Sequence, residues 1–84
     1  MGKETAIIVF RILKRKEAYD LEVPLNISAN ELVEALNKAF ELKIDISDIK
    51  NCYLKAENPI VLLKGNKTLR EFGIRDGSRI NFTE

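Results

Sequence analysis

The chain has 84 residues, enough for one buried core and too few for two. Its composition is 45% hydrophobic and 32% charged, as in a soluble globular domain, and no apolar run approaches the roughly 20 residues a membrane span needs. The 14 basic and 13 acidic residues are mixed along the chain and leave a net charge of +1, which excludes a strong pull on nucleic-acid phosphates or anionic lipid.

The N-terminus lacks the basic-then-apolar pattern of a secretion signal, and Ala6 stands where a myristoylation motif carries Ser or Thr. From Ala6 to Leu13, AIIVFRIL is dense in β-branched and aromatic residues and predicts a strand. A polar stretch, Lys14 to Ala18, follows, and its basic trio Lys14, Arg15 and Lys16 reads as a solvated hairpin tip. In YDLEVPL, Tyr19, Leu21 and Val23 alternate with polar residues, predicting a half-buried strand paired antiparallel with the first and ended at Pro24.

Ser28 and Glu31 form a capping box, so a helix starts there. Leu32, Val33, Leu36, Ala39 and Phe40 recur at helical spacing and predict its core stripe, with Glu34, Asn37, Lys38 and Glu41 on the wet side. In KIDISDIKN, Ile44, Ile46 and Ile49 predict an ordered connection packed on the helix end. Asp45, Ser47 and Asp48 there lack the glycine and terminal Glu of a calcium loop and read as Asx and Ser turns. Cys52, the single cysteine, cannot form an internal disulfide, fits a cytoplasmic protein, and is expected as a buried apolar residue within a strand.

Tyr53 to Ala56 and Ile60 to Leu63 are short strand candidates split by a turn at Glu57-Asn58-Pro59. Thr68 caps a brief helical turn that buries Leu69 and Phe72 and ends at Gly73. Asp76-Gly77 then turns the chain into a last strand, RINF, with Ile80 and Phe82 inward.

A hairpin, one long helix, further strands and a one-turn helix before the last strand resemble the ubiquitin-like β-grasp order. Thr68-Leu69, Phe72-Gly73-Ile74 and Ile80-Asn81-Phe82 are similar to ubiquitin's closing segment. Within that superfamily, YDLEVPLNISANELVEAL and LREFGIRDGSRINF resemble the YukD or EsaB proteins of the type VII, or WXG100, secretion machinery. The resemblance implies an α+β fold, a mixed sheet with one long helix packed across it, as a single ubiquitin-like domain over residues 1–84. It also implies an accessory cytoplasmic role in secretion. Conjugating and sulfur-carrier relatives need a glycine-ended tail that an activating enzyme can thread and adenylate. Phe82-Thr83-Glu84 offers none, so neither activity is expected.

Histidine is absent, which removes Ser-His and Cys-His pairs and imidazole zinc sites, and no phosphate-binding glycine motif occurs. No enzymatic activity, cofactor or metal is expected. If Ile8, Phe10 and Ile12 face the helix, period two sends Ile7, Val9 and Arg11 to the other side of the sheet. In a β-grasp sheet the first, last and third strands adjoin, which places Tyr53, Lys55, Arg79 and Asn81 on the same face. Exposed apolar area with an Arg-rich rim fits a protein-docking surface. The partner implied is a cytoplasmic or membrane-associated secretion component, bound without nucleic acid or membrane insertion; the alternative is a ubiquitin-like scaffold module of a different assembly.

Overall fold

The computed structural model describes residues 4–83. β1 (Thr5–Ile12) and β2 (Glu17–Pro24) form an antiparallel hairpin in which Ile8 pairs with Leu21 and Phe10 with Tyr19. The helix α1 (Ala29–Phe40) follows, then a 3-10 helix (Ile46–Asn51), β3 (Leu54–Glu57), β4 (Val61–Leu63) and β5 (Arg79–Phe82). The sheet order is β2-β1-β5-β3-β4, with β5 parallel to β1 and antiparallel to β3. This is the expected mixed β-grasp sheet.

Alternation in β1 drives the packing. Ile8, Phe10 and Ile12 are fully buried under α1, joined by Leu32, Val33 and Leu36 from the helix and Ile80 and Phe82 from β5. The Phe40 ring bridges Phe10 at 5.2 Å and Tyr19 at 4.9 Å between centroids. Tyr19 faces inward as expected but stays partly exposed, because only the last helical turn covers it. Ala39 is exposed, contrary to the predicted stripe: Phe40 fills that end of the core.

The predicted capping box forms. The Ser28 hydroxyl accepts from the Glu31 N–H at 3.1 Å, and the Glu31 carboxylate accepts from the Ser28 N–H at 3.0 Å. The helix stops without glycine, at Glu41 with φ 52°. Arg15, at the hairpin tip, donates from Nη1 to the Phe40 carbonyl and from Nη2 to the Glu41 carbonyl, both at 2.9 Å. A cation there satisfies orphan carbonyls and opposes the negative end of the helix dipole, so Arg15 does more than solvate a turn. Asn37, expected on the wet side, is half-buried and clamps the chain leaving the helix: its amide donates to the Ile44 carbonyl and accepts from the Ile44 N–H.

The Asp76-Gly77 turn is stitched to β1. Gly77 takes φ 88°, which a side chain would resist, and its N–H donates to the Ile7 carbonyl, while the Asp76 carboxylate accepts from the Ile7 N–H at 2.8 Å. Thr68 caps a single turn as expected, with the Glu71 carboxylate returning a bond to the Thr68 N–H at 3.1 Å. Cys52 does not lie in a strand; it terminates the 3-10 helix and is half-buried, because Asp45 and Asp48 turn the chain there before β3 can start.

Candidate functional site

The face of the sheet turned away from α1 is built by the same alternation that fills the core. The register aligns Arg11 with Asn81, Asn81 with Lys55, and Lys55 with Leu62 across four strands. A second row runs from Val9 to Arg79 to Glu57. All seven residues expected on this face share it, with Tyr53 at the approach to β3, but they do not form one exposed patch.

Ile7 is 53% exposed and Tyr53 45%, as a docking surface requires, whereas Val9 is half-buried. Asn81 departs most from expectation: it points outward yet is only 7% exposed. The reason is a hydrogen-bonded network across β1, β5 and β3. The Glu57 carboxylate accepts from Arg11 Nη2 at 2.6 Å and from Asn81 Nδ2 at 2.7 Å, and Asn81 Oδ1 accepts from Arg11 Nε at 2.6 Å. Arg79 stands farther off, 3.6 Å from the other carboxylate oxygen. The Asn81 bond holds the Glu57 carboxyl below its ordinary range, with the charges of Arg79 and Arg11 acting in the same sense against partial desolvation.

Two exposed apolar residues lie beyond this network. Leu62, on β4 opposite Lys55, is 48% exposed and Ile60, just before β4, is 88% exposed. With Lys55, Ala56, Glu57, Val61 and Asn81 they line a depression of about 520 Å³. Sequence reasoning placed Ile60 to Leu63 in a strand without assigning its faces. Alternation from the inward Leu63 would have turned Leu62 outward.

A second concavity, of about 630 Å³, is lined by Lys14, Arg15 and Lys43 together with Leu42, Ile44 and Phe82. The Arg15 guanidinium in its lining is the one that caps α1.

The polar side chains of the connecting segments are locally occupied. The Asp45 carboxylate accepts from the Ser47 N–H at 3.1 Å and the Ser47 hydroxyl at 2.6 Å, which lowers its pKa; the Asp48 carboxylate accepts from the Asn51 amide at 2.8 Å. The Asp45–Ser47 bonds form the Asx turn expected, whereas the Asp48–Asn51 bond joins two side chains within the 3-10 helix. Burial pushes the Cys52 thiol pKa up, helped by the charges of Asp48 and Asp45, so the thiolate is disfavoured. Among the described residues no group of three or more His, Cys, Asp or Glu is placed to hold a metal ion, and no helix is long and apolar enough to cross a membrane.

Comparison with known proteins gives both a fold and a family. A family model described as "WXG100 protein secretion system (Wss), protein YukD" matches residues 7–81. No curated protein matches the chain in sequence. Among solved structures, a designed protein based on ubiquitin superposes with a TM-score of 0.70 at 17% identity, covering 98% of this chain and 90% of its own. The C-terminal ubiquitin-like domain of mouse tubulin-specific chaperone e gives 0.68 at 8% identity, covering 100% and 92%. The UBL domain of Plasmodium falciparum Dsk2 gives 0.60 at 11%, covering 94% and 99%. At these identities the structural likeness establishes a ubiquitin-like fold.

Proposed function

Because the chain belongs to the YukD family of the WXG100 protein secretion system, we propose that it serves there as a non-enzymatic adaptor, docking through the outer face of its sheet. The observation that carries this reading is the contrast between the two faces. Inner-face residues of β1 are sealed under α1, while Ile7, Tyr53, Ile60 and Leu62 lie exposed around polar residues on the outer one. Solvent-exposed apolar groups in that setting are the composition of a protein contact.

The carboxylates support a structural rather than catalytic assignment. Glu31 and Glu71 complete capping boxes, Asp45 and Asp48 hold turns, and Glu57 binds Arg11 and Asn81. On this reading the protein works in the cytoplasm by reversible contact with a cytoplasmic or membrane-associated secretion component, without conjugation through its C-terminus. Incubation with an activating enzyme and ATP is expected to yield no adduct.

The deciding experiment is capture from the source cells using the wild-type chain, Tyr53→Glu, Leu62→Asp and, on the exposed side of α1, Glu34→Arg. The two sheet-face variants should lose the partner while remaining folded, and Glu34→Arg should keep it. Retention by both sheet-face variants would remove the outer face as the docking surface.

A further inference from the structure

The outer face is electrically divided, and the division specifies what can dock. The outward β2 positions beside Ile7 and Val9 are Glu22 and Asp20, an acidic margin. Across β1, β5 and β3, Arg11, Arg79 and Lys55 face the single carboxylate Glu57, so three cations against one anion leave two positive charges unbalanced. Arg11 is committed, with short bonds to both Glu57 and Asn81. Arg79 is held more loosely: it makes an ion pair with Glu57 at 3.6 Å, beyond hydrogen-bond distance, and half its side chain is exposed. Beside these cations lies the depression whose rim carries Ile60 and Leu62.

Resting on the docking role above, we propose that this half of the sheet receives an amphipathic segment of another protein, with apolar residues covering Leu62 and Ile60 and carboxylates pairing with Arg79 and Lys55. The geometry disfavours other occupants. Two net charges are too few for a nucleic-acid backbone, where several phosphates must be neutralised together. A second copy, laid face to face about a two-fold axis along the central β5, sets Arg11 over Lys55 and Arg79 over its own counterpart, a like-charge contact; about an axis along β1 it sets Asp20 over Arg79 but leaves Ile60 and Leu62, at the β4 edge, uncovered. An acidic segment is also repelled by Asp20 and Glu22, which confines it to the β3–β4 side and leaves Ile7 outside the contact.

Photo-crosslinking of the full chain in its source cells tests this, with p-benzoylphenylalanine replacing Leu62 or, as a control, Glu34, and the cross-linked peptide sequenced. The expected product arises from position 62 and joins a segment bearing Asp or Glu within one helical turn of its apolar residues. Adding Arg79→Glu should lower the yield about tenfold, and Lys in place of the segment's carboxylates should restore it. A segment without carboxylates, a product joining two copies of this chain, or an undiminished yield with Arg79→Glu overturns the acidic partner while leaving the face in place. Failure of any cross-link from position 62 instead removes the docking face itself.

Discussion

Glu57 shows how far a single residue can organise a surface that alternation only sketches. Its folded pKa is depressed below the ordinary 4.5, chiefly by the Asn81 bond, so its stabilising contribution is present above 4.5 and is lost as pH falls through the lower folded value. Urea unfolding midpoints measured across that acidic window should therefore fall more steeply for the wild type than for Glu57→Gln; parallel declines would mean the network contributes nothing. Asn81 makes the complementary point about legibility. Period two fixes that its side chain points away from the helix, but only its three-way contact with Arg11 and Glu57, residues 70 and 24 positions away in sequence, decides that it is buried. Arg15 was equally opaque: a basic trio at a hairpin tip carries no local sign that one member reaches the carbonyls of Phe40 and Glu41. Arg15→Ala should cost about 1 kcal/mol in chemical denaturation, since two charge-assisted bonds at a helix end are lost from an exposed site.

At the scale of elements, legibility followed the range of the interactions that define each one. The start of α1 was readable because Ser28 and Glu31 are three residues apart and satisfy each other's backbone groups. Its end was not, because Glu41 adopts a left-handed conformation ordinarily signalled by glycine and is held by Arg15 and Asn37 instead. β1 was visible as a dense β-branched and aromatic run, and β2 and β5 as alternating ones. β4 was placed as a strand, but Ile60 to Leu63 is apolar throughout, so no polar residue marks its outward face and Leu62 and Ile60 went unassigned. Because Ser28 is buried and its backbone also bridges to Thr68, the cap holds the helix against the closing segment as well as satisfying it. Ser28→Ala should accordingly lower stability by about 1 kcal/mol in urea titration. A double-mutant cycle with Glu31→Ala should show the two losses to be less than additive, since either change breaks the same reciprocal pair.

For the whole molecule, the decisive element is the last strand. β5 lies between β1 and β3, so the strand pairing that joins the β1–β2 hairpin to the β3–β4 hairpin runs through it. It brings Ile80 and Phe82 into the core beneath α1 and places Arg79 and Asn81 on the outer face, so the core and the proposed docking surface depend on the same four residues. Two separated hairpins, each with an unpaired edge, are marginal in water, and α1 cannot cover both without the strand between them. A chain truncated before Arg79 should therefore lose its dispersed amide spectrum and its cooperative urea transition together. Leu62→Asp, at a side chain 48% exposed on the edge strand, should keep the cooperative transition and cost no more than about 1 kcal/mol. A cooperative transition persisting in the truncated chain would show that the two hairpins and α1 form a core without β5, and the coupling of fold to docking surface through that strand would be lost.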